Sequence, residues 1–185
     1  MEVHGFRRSV TGRISIHLDV VEAGMLRSLA DQLIALIEPQ THDADPLEAM
    51  VGINPHAEVP DDPALSRLLP DAYRDDPEAA AEFRRFTDQT LRTSKEAGAR
   101  TVLADLQMES GKFRSPTEHV GSWLVFFTEV RLVVGTRLGI TDEEIAATIH
   151  DLPDDDPRAG MGHVYDWLTY LQETLIRAAH PENFV

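Results

Sequence analysis

Apolar positions along this chain recur at two periods, and the change from one to the other divides it. Ile14, Ile16 and Leu18 alternate with Ser15 and His17, the period of a half-buried strand. Phe6, Arg8 and Val10 supply a facing strand across a turn at Thr11-Gly12, so residues 1–18 read as a β-hairpin. From there on the period is helical. Val21, Met25, Leu26, Leu29, Leu33, Ile34 and Ile37 make one stripe of a helix over 19–38, opened by a capping box of Asp19 and Glu22 and closed by Pro39. Phe83, Phe86, Leu91, Val102, Leu103 and Leu106 are the apolar positions of a long helix over 77–108. The small residues Ser94, Ala97, Gly98 and Thr101 in its middle predict close approach of another helix, and Gly111 is its stop.

The next element is apolar almost all round. Val120, Trp123, Leu124, Val125, Phe126, Phe127, Val130, Leu132, Val133, Val134 and Leu138 leave no wide polar face, which predicts a helix over 116–138 buried on every side. Ser115-Pro116-Thr117-Glu118 reads as its capping box, and Gly139 ends it. Thr141 to Glu144 reads as a second box opening a short helix to His150. An acidic loop over 151–160 then leads to a last helix over 161–179, with Val164, Trp167, Leu168, Leu171, Leu175 and Ile176 on one face and Pro181 beyond its end.

Between the first two helices the pattern changes. Seven of the chain's eleven prolines lie between 39 and 77, and residues 39–82 hold eleven acidic side chains against two basic ones. Asp45-Pro46, Asp62-Pro63 and Asp76-Pro77 share one logic: Asp accepts from the orphan N–H groups of a helix start, and Pro at the first helical position has no N–H to satisfy. The acidic, Pro-rich segment 39–76 therefore carries short helices near 46–52 and 63–69. The expected fold is mainly α: a helical bundle around one buried central helix, with a short N-terminal β-hairpin, all in a single domain of residues 1–185 whose helical core spans 77–180.

Composition then removes function classes. The chain has no cysteine, so disulfides, thiol nucleophiles and Cys-ligated zinc are excluded. Its 32 acidic and 17 basic residues give a formal net charge of −15. That charge argues against direct DNA binding and against anionic membranes, which need a positive footprint. The start, MEVHGFRRSV, lacks the apolar core of a signal peptide, which predicts a cytoplasmic protein. No phosphate-binding glycine loop, dinucleotide fingerprint or nucleophile elbow is present, and the histidines form no metal-ligand spacing; catalytic residues, metal and cofactor are all expected to be absent. The nearest approach to a metal pair, His163 with Asp166, reads as a surface pair.

Several residues still call for a role. Arg131 lies inside the most apolar helix, where it either pairs with a core carboxylate or binds an anionic ligand in a pocket; the aromatic group Tyr165, Trp167 and Tyr170 of the last helix is a second feature that suits a small-molecule site. ITDEEIAATI after Gly139 resembles the opening of a helix-turn-helix, but the following HDLPDDDPRAG is acidic and Pro-rich and would repel phosphates. The basic cluster Arg7, Arg8 and Arg13 on the hairpin is the alternative nucleic-acid contact.

Three segments in order carry a family resemblance: SRLLPDAY at 66–73, WLVFFTEVRLVVGTRLGI at 123–140 and VYDWLTYLQETL at 164–175. Together, after a hairpin and a helix, they resemble the actinobacterial AosR-like family, formerly a domain of unknown function, whose genes usually lie beside that of the ClpS protease adaptor. The matching positions include Leu68, Leu69, Pro70, Tyr73, Trp123, Arg131, Gly135, Tyr165, Trp167 and Gln172. The resemblance implies a transcriptional regulator of the oxidative stress response. Tyr73, Arg131, Tyr165, Trp167 and Gln172 become candidate contacts to a partner or ligand. An acidic helical surface suits a protein partner such as the transcription machinery, and a homodimer is plausible on general grounds. With cysteine absent, any oxidant sensing by the chain itself falls to Met1, Met25, Met50, Met108 and Met161.

Overall fold

The computed structural model describes residues 5–38, 57–73, 75–107, 112–115 and 117–184. Strands β1 (Arg7–Arg8) and β2 (Ile14–His17) form the expected hairpin. Gly12 at φ 80° makes its turn, a conformation open to glycine and strained for other residues. A two-stranded ribbon is marginal alone, and here it is not alone. Strand β3 (Lys112–Ser115) pairs antiparallel with β2, with Ile16 opposite Phe113, to give a sheet in the order β1-β2-β3. Phe6, Ile14, Ile16 and Leu18 are buried on the helical core. The Phe6 ring meets Trp123 edge-on at 5.6 Å and Phe127 at 6.1 Å.

The helices are α1 (Val20–Ile37), α2 (Pro63–Leu68), α3 (Pro77–Leu106), α4 (Val120–Leu138), α5 (Glu143–His150) and α6 (Ala159–Ala179). The caps are largely those the sequence specifies. Asp19 accepts from Glu22 N at 2.8 Å while the Glu22 carboxylate accepts from Asp19 N at 2.8 Å, the full capping box. Asp62 accepts from Ala64 N and Leu65 N, and Asp76 from Ala79 N. The helix expected near 46–52 lies outside the described residues. Gly139, at φ 75°, closes α4 with its N–H on Gly135 O and Thr136 O.

Helix α4 is central: α1, α2, α3 and α6 all pack on it. Its composition predicts burial on every side, but it is not so enclosed. Val125 and Leu132 are exposed, in line with Gly121 and Thr128, while Glu129, a charged residue, is buried. Composition counts apolar residues but does not say how many neighbours the fold has to cover them. The start of α4 also differs from expectation. Ser115 belongs to β3, and a 3-10 turn over Thr117–His119 precedes the helix, so the capping box at Ser115 does not open it. At α5 the cap falls one residue later than read: Asp142 accepts from Ile145 N at 2.9 Å, and Thr141 donates to Asp142. In α3 the apolar residues divide. Ala99, Val102 and Leu106 are buried, whereas Phe83, Phe86 and Leu91 are exposed, as are Ser94 and Ala97, and a Cβ at Gly98 would find nothing within 4 Å, so no helix closes on that face. The first half of the helix buries one face, at Ala80 and Asp88, and Phe83 and Phe86 lie off that face. On α1, Val21 is likewise exposed, unlike Leu26, Leu33 and Ile37 in the same stripe, and on α6 Ile176 is at the surface.

Guanidinium groups finish several helix ends. Arg8 donates to Ala178 O and Ala179 O at the end of α6, Arg92 to Ile37 O at the end of α1 at 2.7 Å, and Arg27 to Leu106 O at the end of α3. The last carbonyls of a helix have no intrahelical donor and carry its negative dipole end, so a cation there satisfies both.

Candidate functional site

Three places hold the residues singled out above. The first is the seam between α4 and α6. Arg131 lies over the Tyr165 ring, its guanidinium carbon 5.2 Å from the centroid. Its Nη1 donates to Gln172 Oε1 at 2.7 Å and its Nη2 reaches the Tyr165 hydroxyl at 3.4 Å. Gln172 in turn donates to Thr128 Oγ1 at 2.8 Å. Gly135 gives the Tyr165 ring its seat, since a Cβ there would lie 3.3 Å from the ring. Among the described residues no carboxylate pairs with Arg131; the expected core ion pair is replaced by an amide, a phenol and a ring face, with Nε buried and without a hydrogen-bond partner. These groups tie α4 to α6.

The buried carboxylates of the core lie elsewhere. Glu129 accepts from Lys95 Nζ at 2.7 Å across the α3–α4 seam. Asp105 accepts from Trp123 Nε1 at 2.8 Å and faces His119 Nδ1 at 2.9 Å. Asp88 accepts from Arg92 at 2.8 Å. Each charge is taken out of water only with a partner in reach, the condition for burying it at all.

The second place is the hairpin. Arg7 and Arg13 are exposed, while Arg8 is engaged with the end of α6. Tyr73, the third place, is exposed and stacks edge-on against Phe83 at 5.8 Å, near the start of α3. The structure therefore brings Arg131, Tyr165 and Gln172 together and leaves Tyr73 and the arginines apart from them.

Trp167 belongs to a feature that the sequence reading did not single out. Helices α1 and α6 stand on either side of α4, and the space between them is an open groove with two lobes. One lobe, about 760 Å³, is lined by Leu29, Leu33 and Leu36 of α1, Val130, Val133 and Val134 of α4, and Met161 and Val164 of α6. The other, about 690 Å³, is lined by Val21 and Met25 of α1 and by Val164, Trp167 and Tyr170 of α6. Gly160 and Val164 line both, so the lobes adjoin. Arg131 lines neither. The polar residues on the groove are Asp19, Glu22, His163 and Asp166 at one end and Gln32 and Arg137 at the other. Arg137 is held by Asp62 at 2.6 Å, and that hydrogen bond, with those from Leu65 and Ala64, keeps the Asp62 carboxyl below its ordinary value. Asp166 accepts from His150, not from His163, at 2.7 Å, and the bond raises the His150 pKa above the ordinary 6.5. Among the described residues no cluster of three or more His, Cys, Asp or Glu is placed to hold a metal ion, and no helix is long and apolar enough to cross a membrane.

Comparison with known proteins places these features in a lineage. A family model described as "Domain of unknown function (DUF2017)" matches residues 3–179. Proteins named "Oxidative stress regulator AosR" from Mycobacterium tuberculosis (strain ATCC 25618 / H37Rv) and Mycobacterium bovis are each 32% identical to the chain over 171 residues, covering 84% of it and 77% of their own length. A relative from Mycobacterium leprae is 29% identical over 173 residues, covering 85% of this chain and 78% of its own. No solved structure matches.

Proposed function

The chain belongs to the DUF2017 family, and from that membership we propose that it is a regulator of the oxidative stress response that acts on transcription through a protein partner, not through catalysis. The observation that carries this reading is the likeness over 84% of the chain to proteins named as oxidative stress regulators. The surface supports the partner route. A net charge of −15 opposes the phosphate backbone, whose contacts supply most of the affinity of an unaided DNA-binding protein. Of the hairpin arginines that would have to oppose it, Arg8 is already committed to helix carbonyls.

Two measurements test the reading. Deleting the gene in the native host is expected to change survival under hydrogen peroxide and the transcript profile that follows exposure; unchanged survival and transcripts would overturn the regulatory role. The purified protein is expected to give no sequence-dependent gel shift at about 0.15 M salt, where exposed charges are screened beyond roughly 8 Å. A salt-resistant, sequence-specific shift, lost on replacing Arg7, Arg8 and Arg13 with alanine, would replace the partner route with direct DNA binding.

A further inference from the structure

We infer that the groove between α1 and α6 docks a basic amphipathic helix of a protein partner, and that Met25 and Met161 make this docking sensitive to oxidants. This deepens the regulatory reading and rests on it.

The first observation is the shape and lining of the groove. Two helices wall it, a third floors the lobe at Val130, Val133 and Val134, and the two lobes share Gly160 and Val164. Val21 is 71% exposed and Met161 44%, with Tyr170 beside them also exposed. A helix laid between two helices buries such a stripe with anchors at successive turns, the usual way an amphipathic segment is recognised. The α1 wall is 18 residues long, about 27 Å at 1.5 Å per residue, enough to match several turns of a guest.

The second observation is charge. Three carboxylates, Asp19, Glu22 and Asp166, line the groove against one guanidinium, Arg137; Glu22 is buried in the capping box of α1, and Asp166 and Arg137 are bonded to His150 and Asp62. The whole chain carries −15. An apolar stripe flanked by Lys or Arg complements that rim. A fatty acid, an anionic lipid surface or a second copy of this acidic chain does not, since each brings like charge.

The third observation is where the methionines lie. Among the described residues the methionines are Met25 and Met161, and both line the groove. Methionine suits a surface that must adapt to a partner. It is also the only sulfur in a chain without cysteine. Hydrogen peroxide transfers one oxygen atom to the thioether: the O–O bond breaks, an S–O bond forms, the sulfur loses two electrons and the peroxide leaves as water. The product is a polar sulfoxide on the face that must bury apolar surface, and sulfoxide reductases reverse it.

The test uses the full chain and a synthetic helix of about 18 residues with a leucine stripe and lysine flanks, beside a second peptide with glutamate in place of lysine. Fluorescence anisotropy is expected to show micromolar binding of the basic peptide and binding at least about tenfold weaker for the acidic one, a difference of 1.4 kcal/mol. Val21→Lys and Met161→Lys, one in each lobe and both at exposed positions, are expected to weaken binding about tenfold. Val125→Lys, on the exposed line of α4 outside the groove, leaves it unchanged. After peroxide treatment the wild-type chain is expected to lose affinity several-fold, while the Met25→Leu/Met161→Leu chain keeps it. Failure of the basic peptide to bind, equal binding of both peptides, or wild-type binding by both lysine variants overturns the docking site. So does a fluorescent fatty acid that competes at the groove with equal affinity, or a dimer by sedimentation that Val21→Lys abolishes. Equal loss on oxidation in the wild-type and Leu variants, or no loss in either, overturns the role of the methionines. A gene deletion with an oxidative stress phenotype, beside groove variants that bind normally, sinks this inference and leaves the regulatory reading standing.

Discussion

One flank of α4 meets α3, and the other floors the space between α1 and α6. Both present large apolar side chains, yet the fold treats them oppositely. Toward α3 the seam is closed: Trp123 is buried and bonded to Asp105, and Glu129 is buried against Lys95. Toward the groove, Val133, Met161, Val164 and Trp167 remain partly accessible, and among the described residues no ion pair bridges α1 to α6. A buried ion pair adds little net stability against an apolar replacement, but it fixes which helix faces which. The comparison teaches that the closed seam holds the shape of the protein and the open one is left for something else.

The largest expected effect is on the closed side. Lys95→Ala strands the Glu129 carboxylate, which is only 4% exposed, and is expected to cost about 3 kcal/mol or more in urea denaturation. Replacing both, Lys95→Met with Glu129→Leu, is expected to restore most of it. A loss below about 1 kcal/mol for Lys95→Ala would show that the seam does not depend on the pair.

A smaller effect of opposite sign is expected away from both flanks. Gly98→Ala, in the middle of α3, adds a Cβ that meets nothing within 4 Å and is expected to stabilise by about 0.5–1 kcal/mol. Destabilisation would mean that a neighbour closes on that face after all. On the open side, Met161→Ser is expected to change stability by no more than about 0.5 kcal/mol, since the residue is 44% exposed on an open groove where truncation leaves no enclosed cavity. A loss like that of a core residue would show that the groove belongs to the core.

The smallest effect concerns the rim. The hydrogen bond that His150 donates to Asp166 raises the His150 pKa above 6.5, so the folded state favours the protonated ring. Its stabilising contribution is complete below the unfolded value near 6.5 and is lost as the pH rises through the higher folded value. Following His150 by NMR should show the raised pKa in the wild type and a return toward 6.5 in Asp166→Asn; identical titrations would remove the bond.

The local features were legible because their causes are local. An Asp before a Pro announces a helix start at Asp62 and Asp76, the Asp19–Glu22 box announces α1, and Gly139 announces the end of α4. The features that were not legible depend on what lies opposite. The four residues of β3 carry too short a pattern to announce a strand, and pairing with β2 is what makes them one. Phe83 and Phe86 look like core residues in the sequence, but they lie off the helix face that buries Ala80 and Asp88. Arg131 is legible as a residue in need of partners, and Gln172 and Tyr165 as candidate contacts, but that an amide and a ring face of these two residues take the place of a carboxylate is not. The groove was missed for the same reason. A stripe such as Val21, Met25, Leu29 and Leu36 has the same period whether or not another helix covers it. A clue was present: α1 also carries Leu26, Ala30, Leu33 and Ile37, which already satisfy the core, so the remainder is more apolar surface than one contact needs.

Amide hydrogen exchange on the full chain, with and without the basic helical peptide, addresses the open flank most directly. Slower exchange or new protection confined to residues 21–36 and 160–170, with the α3–α4 seam unchanged, is the predicted result. Protection that falls instead on the exposed start of α3 around Phe83, or that spreads evenly over the chain, would contradict it.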